Sequence, residues 1–560
     1  MKYLHNLFIG LFSLSVLFAQ DFSNKENSLK NWHHKDFGSS KIYGIGTEKA
    51  YQFLHKKQRK AQSIIVAVID SGIDIDHKDL KPNLWINPNL GKPGDSDTYV
   101  NDLYGWNFIG GLQGDVQQDN IESTRIVRRF KPIFESGDVL KDQSMQAQYP
   151  KHYKLYLGGK KNYEENLIKS TENLVKAHHF QKLKKALSLG FDEVSQQLGE
   201  QKLSCALVDS VKESSPEVVL VKNTLQENLF KTSPDSVEGK NIQEIKRTIQ
   251  KDLDDVISHY TKDAKYLYNI NFDPRPIVGD HYEDINERFY GNNRVKGPQE
   301  NDNLHGTHVA GIIGANRESD QVKGIADQVR IMSLRAVPDG DERDKDIANA
   351  IRYAVDKGAK IINMSFGKAF SPEKQAVDNA LRYAQSKEVL LIHAAGNESK
   401  NLDEEKNYPS NEDENGNKLG DLWINVGASS YKNDENLAAS FSNYGKERVD
   451  LFAPGVEIYS TTPENTYRYL QGTSMAAPVV AGAAALIWSH YPKLNAREVK
   501  DLLLSSVHKV NKMVSLPSDA GEEEKKTPIK KISFTNLSKS GGILNLYKAV
   551  ELAEKKYGKF

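Results

Sequence analysis

Three residue types able to cooperate in nucleophilic chemistry stand in three short strings far apart in the chain. They are Asp70 in VAVIDSGID, His305 in HGTHVAG and Ser474 in GTSMAAP. A serine hydroxyl is a weak nucleophile at neutral pH. It needs a base within hydrogen-bond reach and a carboxylate to hold that base in the right tautomer. An acid, an imidazole and a hydroxyl, each framed by small residues, are the parts of such a device. A fourth string, VLLIHAAGNES, carries Asn397 on a Gly-containing turn after a buried-strand pattern over residues 389–394.

The flanking patterns indicate how these groups are held. IIVAVID is a continuous apolar, β-branched run of the kind buried on both faces of a parallel sheet. It ends at Asp70, placing the carboxylate at the strand's carboxyl end, where open α/β sheets build their sites. Gly306 and Gly311 frame the helix-like run VAGIIGA, which puts His305 at a helix start. Ser474 precedes MAAPVVAGAAALIWSH, an Ala-rich apolar stretch read as a buried helix with Pro478 in its first turn. A serine at a helix N-terminus faces free backbone N–H groups and the positive end of the dipole, which suits an oxyanion.

In their order and their flanks the strings resemble the subtilase family of serine peptidases, from about Ile64 to Leu112 and from about Asp273 to the C-terminal end. The resemblance implies an α/β, subtilisin-like three-layer fold: a mostly parallel central sheet flanked by helices, plus an inserted helical subdomain. It implies a serine endopeptidase in which Ser474 is the nucleophile, His305 the base, Asp70 its orienting carboxylate and Asn397 an oxyanion donor. KIINMSFG resembles the strand and turn whose backbone pairs with an extended substrate. By that match Ser365, Phe366 and Gly367 line the cleft, and Ala395 and Gly396 form the opposite wall of the primary pocket. Main-chain bonds then supply affinity and alternate side-chain pockets supply preference. Small residues on both walls leave room for a large P1 side chain, so a broad, apolar-leaning preference is expected. Asp339, Asp341, Glu342 and Asp344 crowd the loop after SLRAV. They read either as a solvated acidic loop or as a selector of basic groups further along the peptide.

The resemblance also raises structural calcium. Asp79 in HKDL matches a family ligand position, and the loop GANRESDQVKG adds the oxygens of Asn316, Glu318 and Asp320, suited to a hard cation. Arg317 and Lys323 in that loop weigh the other way, and a plain acidic loop stays open as the alternative. No cofactor is required for the chemistry. No Cys/His cluster has zinc-like spacing, and His33-His34 and His178-His179 read as surface residues.

At 560 residues the chain has room for a large core and more than one domain. Its 75 basic and 75 acidic residues cancel, so nothing points to a nucleic-acid partner; protein or peptide substrates are expected, and a monomer by default. Lys2, the apolar stretch from Leu7 to Phe18 and then Ala19-Gln20 read as an export signal, residues 1–19, too short for a comfortable membrane span. A periplasmic, cell-surface or extracellular location follows. The lone Cys205 excludes an internal disulfide and is expected to be buried and inert in a helical segment. About fifty residues separate Ala19 from Asp70. NWHHKD and IGTEKAYQFL look like the lead-in of a mature subtilase, so folding without a separate prodomain is expected.

About 235 residues separate Asp70 from His305, where compact subtilases need a few tens. The expected organisation is residues 20–112 and 272–560 as the catalytic domain, with residues 113–271 as a helical insertion. Ile242, Ile245, Ile249, Leu253, Ile257 and Tyr260 recur at three- and four-residue steps, an amphipathic helix pattern. Leu167, Leu174, Leu183 and Leu187 mark one or two more helices. Ser214-Ser215-Pro216 and Thr232-Ser233-Pro234 read as breaks. The insertion is either a tolerated surface decoration or a restriction on which substrates enter. A non-catalytic binding protein on the same scaffold is the reading of another class, and the complete set of reactive groups argues against it. Within the enzyme class, a narrow processing protease stands beside a degradative one.

Overall fold

The computed structural model describes residues 29–90, 99–230, 237, 239–518 and 530–558. The export signal and the break at residues 232–234 lie outside the described residues. The chain divides into two compact units, one holding residues 123–272, the other residues up to Glu122 from Asn27 together with Asp273–Phe560.

The larger unit is built on a sheet whose strands are β1 (Ile64–Asp70), β2 (Gly105–Asn107), β3 (Val329–Arg335), β4 (Ile361–Met364), β5 (Leu390–Ala394), β6 (Trp423–Ser429) and β7 (Leu451–Pro454). Across the sheet they run β2-β3-β1-β4-β5-β6-β7, followed by Gly542–Ile543 and His508–Lys509. Every pairing is parallel except the one between those last two short strands. Asp70 pairs with Arg335 on one side and Ile69 with Met364 on the other, so the carboxylate ends the central strand where the chain order reverses. That switch point is where open parallel sheets leave a crevice.

β1 alternates between two cores, as strand geometry demands. Ile64, Val66 and Val68 enter one cluster with α1 (Leu304–Gly314) and α4 (Thr473–His490), through Val309, Ile313, Val479 and Val480. Ala67 and Ile69 enter the other with α2 (Asp344–Asp356) and α3 (Lys374–Ser386), through Ile347, Ile351 and Leu381. The result is an α/β fold of three layers, with helices on both faces of a mostly parallel sheet. The run from YPKLNAREV forms the helix Ala496–Ser505, started by a capping box between Asn495 and Glu498. No described helix is long and apolar enough to cross a membrane.

The other unit is helical. Ile242–Lys262 forms the amphipathic helix its periodicity predicts, again with a capping box, Asn241 to Glu244. The leucine spacing understates the second element: one helix of 49 residues runs through Pro150–Leu198. Leu183 and Leu187 are buried with Phe191 and Val194 against Ile242, Ile245 and Leu253, whereas Leu167 and Leu174 stay exposed. Ser215 caps the short helix Pro216–Asn223, consistent with a break just before it.

Two expectations about single residues are overturned. Cys205 is exposed, because it opens the short helix Cys205–Asp209 whose buried residue is Val208. His33 and His34 are buried, not on the surface; His34 bridges Thr47 Oγ1 and the Lys323 carbonyl, both at 2.9 Å. His178 and His179 are exposed as expected.

Candidate active site

Asp70 is almost wholly buried, and its Oδ1 accepts from the Ser71 N–H at 2.8 Å and meets His305 Nδ1 at 2.7 Å. With the carboxylate ionised, Nδ1 carries the hydrogen, which leaves the Nε2 lone pair of His305 as the base. Burial disfavours the imidazolium, but the Asp70 charge and hydrogen bond outweigh it and raise the His305 pKa above its ordinary value. Gly306 permits this approach: a Cβ there would lie 2.2 Å from the Gly72 carbonyl and 3.2 Å from Asp70 Cβ.

Ser474 is the second residue of α4 and the one residue of that helix that is not buried. The helix starts at Thr473, which moves Pro478 from the expected first turn to the sixth position. Proline has no N–H to donate to the carbonyl four residues back, and that carbonyl belongs to Ser474. Ser365 supplies the missing donor: its Oγ donates to the Ser474 carbonyl at 2.9 Å, while Ser474 Oγ donates to the Ser365 carbonyl at 3.0 Å. Asn363 Nδ2, on β4, holds the Ser365 hydroxyl at 2.9 Å.

Asn397 follows β5. Its Oδ1 accepts from the Thr473 N–H at 2.8 Å and the Thr473 hydroxyl at 3.0 Å, so the amide nitrogen is turned away as a donor. A Cβ at Gly472 would lie 3.6 Å from both Asn397 Nδ2 and Ser474 N. Both nitrogens therefore border one spot beside Ser474, with Asn397 Oδ1, engaged by Thr473, at 3.7 Å, and a glycine at φ 151° leaves that spot empty. Such a pair suits an oxyanion.

The two stretches expected to wall the cleft are close, and a residue missed in the sequence stands between them. The side chain of Asn407 lies 2.8 Å from where a Gly367 Cβ would be and 3.1 Å from the equivalent point on Gly396. Its Nδ2 donates to the Ala395 carbonyl at 3.0 Å, beside Asn443 Nδ2 at 2.9 Å. Asn443 Nδ2 also meets Glu398 Oε2 at 2.6 Å. The space expected for a large P1 side chain is thus floored by an amide.

The acidic loop divides in a way its composition does not show. Asp339 is exposed, but Glu342 and Asp344 are buried, which overturns the solvated-loop reading for those two. Lys368 Nζ reaches Asp344 Oδ1 at 2.9 Å, Glu122 Oε2 at 2.7 Å and the Glu342 carbonyl at 2.8 Å. Burial pushes the Glu342 carboxyl up to about 8, against the pull of Lys368.

The calcium set does not assemble as expected. Among the described residues no three His, Cys, Asp or Glu side chains gather into a metal site. The Asp79 carbonyl accepts from the Asn316 N–H at 2.7 Å, but Asp79 Oδ2 is taken by the Ser319 hydroxyl at 2.8 Å and the Tyr467 hydroxyl at 2.7 Å. Glu318 and Asp320 are exposed, and Arg317 of this loop stacks 4.2 Å over the Tyr51 ring. These residues do not fit a calcium cage.

A family model described as the subtilase family matches residues 61–531. Subtilisin DY of Bacillus licheniformis is 41% identical over 209 residues, 36% of this chain and 70% of its own length. Thermitase of Thermoactinomyces vulgaris is 39% identical over 192 residues, 34% of this chain and 63% of its own length. The cell wall-associated protease of Bacillus subtilis (strain 168) is 35% identical over 280 residues, 48% of this chain but 28% of its own length. Among solved structures, the prenylagaramide maturation protease PagA is 30% identical, with a TM-score of 0.34 over 44% of this chain and 82% of its own.

Proposed function

The chain belongs to the subtilase family, and from that premise we propose that it is a serine endopeptidase acting on proteins or peptides through Asp70, His305 and Ser474. The carrying observation is the 2.7 Å contact between His305 Nδ1 and Asp70, which leaves Nε2 as a base of raised pKa. Ser474 Oγ donates to the Ser365 carbonyl at 3.0 Å here, and the proposed chemistry needs it to leave that acceptor for His305 Nε2; catalytic hydrogen bonds commonly tighten only once substrate is bound. Ser474 Oγ attacks the scissile carbonyl and His305 takes its proton. Asp70 supports the imidazolium, and Asn397 Nδ2 with the Ser474 N–H holds the oxyanion. His305 then protonates the leaving amine, and water repeats the cycle on the acyl-enzyme. No cofactor enters this chemistry. The apolar run at residues 7–18 supports export.

The test is labelling by a phosphonylating reagent. Ser474 should be modified in the native protein and labelling should vanish in Ser474→Ala. Persistent labelling in that variant would place the nucleophile elsewhere. Cleavage profiling on a peptide library then separates narrow processing from general degradation.

A further inference from the structure

We infer that Lys368 closes the acyl-side end of the cleft, so that the enzyme engages about three residues on the N-terminal side of the scissile bond and gains little from a fourth. This rests on the reading of residues 365–367 as the wall that pairs with an extended peptide.

The Lys368 ammonium reaches across to a second stretch, residues 339–344, through the Glu342 carbonyl and Asp344. The outer side of that stretch is already paired: Asp339 N–H donates to the Gln117 carbonyl at 2.8 Å, Asp119 N–H to the Asp339 carbonyl at 3.1 Å, and Asp341 N–H to the Asn120 carbonyl at 3.3 Å. Extended backbone presents its N–H and C=O groups to alternate sides. Residues 340 and 342 therefore face the other way. The Glu342 carbonyl confirms that direction, since it accepts from Lys368 Nζ at 2.8 Å.

The 365–368 wall has the same alternation. Lys368 exchanges both backbone hydrogen bonds with Tyr408, at 2.9 Å each, so its main chain faces outward. Gly367 and Ser365 then face inward, and the Ser365 carbonyl does meet Ser474 Oγ. A peptide added to this wall has a free edge up to Gly367. At the next step it meets a side chain crossing from this wall to the second stretch. Lys368 Nζ has three acceptors on the far side, Glu122, Asp344 and the Glu342 carbonyl, one for each N–H. The side chain is 2% exposed. A peptide that displaced this ammonium would leave two buried carboxylates without their cation, which is costly.

The reach follows from strand rise. Ser365 stands beside the nucleophile and Lys368 is three residues on, roughly 10 Å at about 3.3 Å per residue. A P1 residue beside Ser365 puts P3 beside Gly367 and P4 on the brace.

The experiment is a length series of chromogenic peptides with constant P1 to P3 and two, three, four or five residues on the acyl side. The native enzyme should gain kcat/KM up to the third residue and change by less than about twofold beyond it. A gain of about tenfold or more at the fourth residue overturns the brace, because remote binding energy would then be reaching the reaction. The triple variant Lys368→Ala, Glu122→Gln, Asp344→Asn should acquire a fourth-residue gain; if it folds and does not, the brace is not what limits the reach. Phosphonyl labelling of Ser474 in the native protein reports separately on the peptidase reading. Labelling together with a large fourth-residue gain sinks the brace alone, whereas loss of both labelling and hydrolysis sinks the reading beneath it.

Discussion

Ser365 and Ser474 hold each other by two hydrogen bonds, one from each hydroxyl to the other's carbonyl, at 2.9 and 3.0 Å. The first exists because Pro478 cannot donate to the Ser474 carbonyl. Ser365→Ala should therefore leave a carbonyl at the start of α4 without a donor and cost about 1–3 kcal/mol in denaturant unfolding. The cause is testable by a double-mutant cycle. In a Pro478→Ala background the restored N–H can reach Ser474, and Ser365→Ala should cost less there. Equal cost in both backgrounds would show that Ser365 does not act through that carbonyl.

The raised pKa of His305 has two consequences of opposite sign. Catalysis needs the neutral base, so kcat/KM should rise with pH through a midpoint above 6.5. Stability runs the other way: a group whose folded pKa is raised contributes fully below its unfolded value and loses that contribution as pH climbs through the folded one. Asp70→Asn should pull the midpoint down and lower kcat by about 10,000-fold. A rate profile whose midpoint is unmoved by Asp70→Asn would mean that His305 is not the titrating base.

His34 and His308 titrate in the reverse sense. Burial holds both near 3; nearby Arg317 adds to the effect at His34, and the Arg468 carbonyl opposes it at His308. Because the unfolded chain binds these protons first, stability is present above about 6.5 and drains away as pH falls toward about 3. By about pH 5 each site should have lost roughly 2 kcal/mol. Urea unfolding between pH 7 and 5 checks it, and His308→Gln, which keeps an amide donor for the Ile458 carbonyl, should flatten the slope. An unchanged slope in that variant would remove His308 from the account.

What the chain discloses by itself depends on whether a residue's environment is local. β1 is readable because six consecutive apolar positions before Asp70 bear the mark of a two-faced strand, and α4 because its alanines leave no polar face. The same is true of Asn397, placed by the strand before it. The bond between Ser365 and Ser474 is not legible in this way: the pattern puts Pro478 in the first turn, where it frees no carbonyl, and the donor to the Ser474 carbonyl lies 109 positions away. The burial of His34 rests on Lys323, 289 positions on, and no window of sequence holds both. The long helix Pro150–Leu198 hides its continuity because only part of its length packs on Ile242–Lys262; the leucines in the unpacked part carry no face to read. Asn407 belongs to the same class: nothing in KNYPS says that its amide will stand between two glycines of other segments.

On the proposed reading of residues 365–367 and 395–396 as the P1 pocket, that position decides what the pocket admits. With the Asn407 amide bonded to Ala395, an aromatic P1 ring entering between Gly367 and Gly396 meets a polar floor before it is fully buried. Asn407→Gly removes the side chain without obstructing either wall. The ratio of kcat/KM for P1 Phe over P1 Ala should then rise about tenfold, since a few added apolar contacts are worth about 1–3 kcal/mol. Asn407→Asp keeps the size and adds charge, and should instead raise the ratio of P1 Lys to P1 Phe. Both ratios are internal to one enzyme preparation, so partial unfolding of a variant cancels. If neither ratio moves, the P1 side chain does not reach the space between these walls, and the assignment of residues 365–367 and 395–396 as its pocket fails with it.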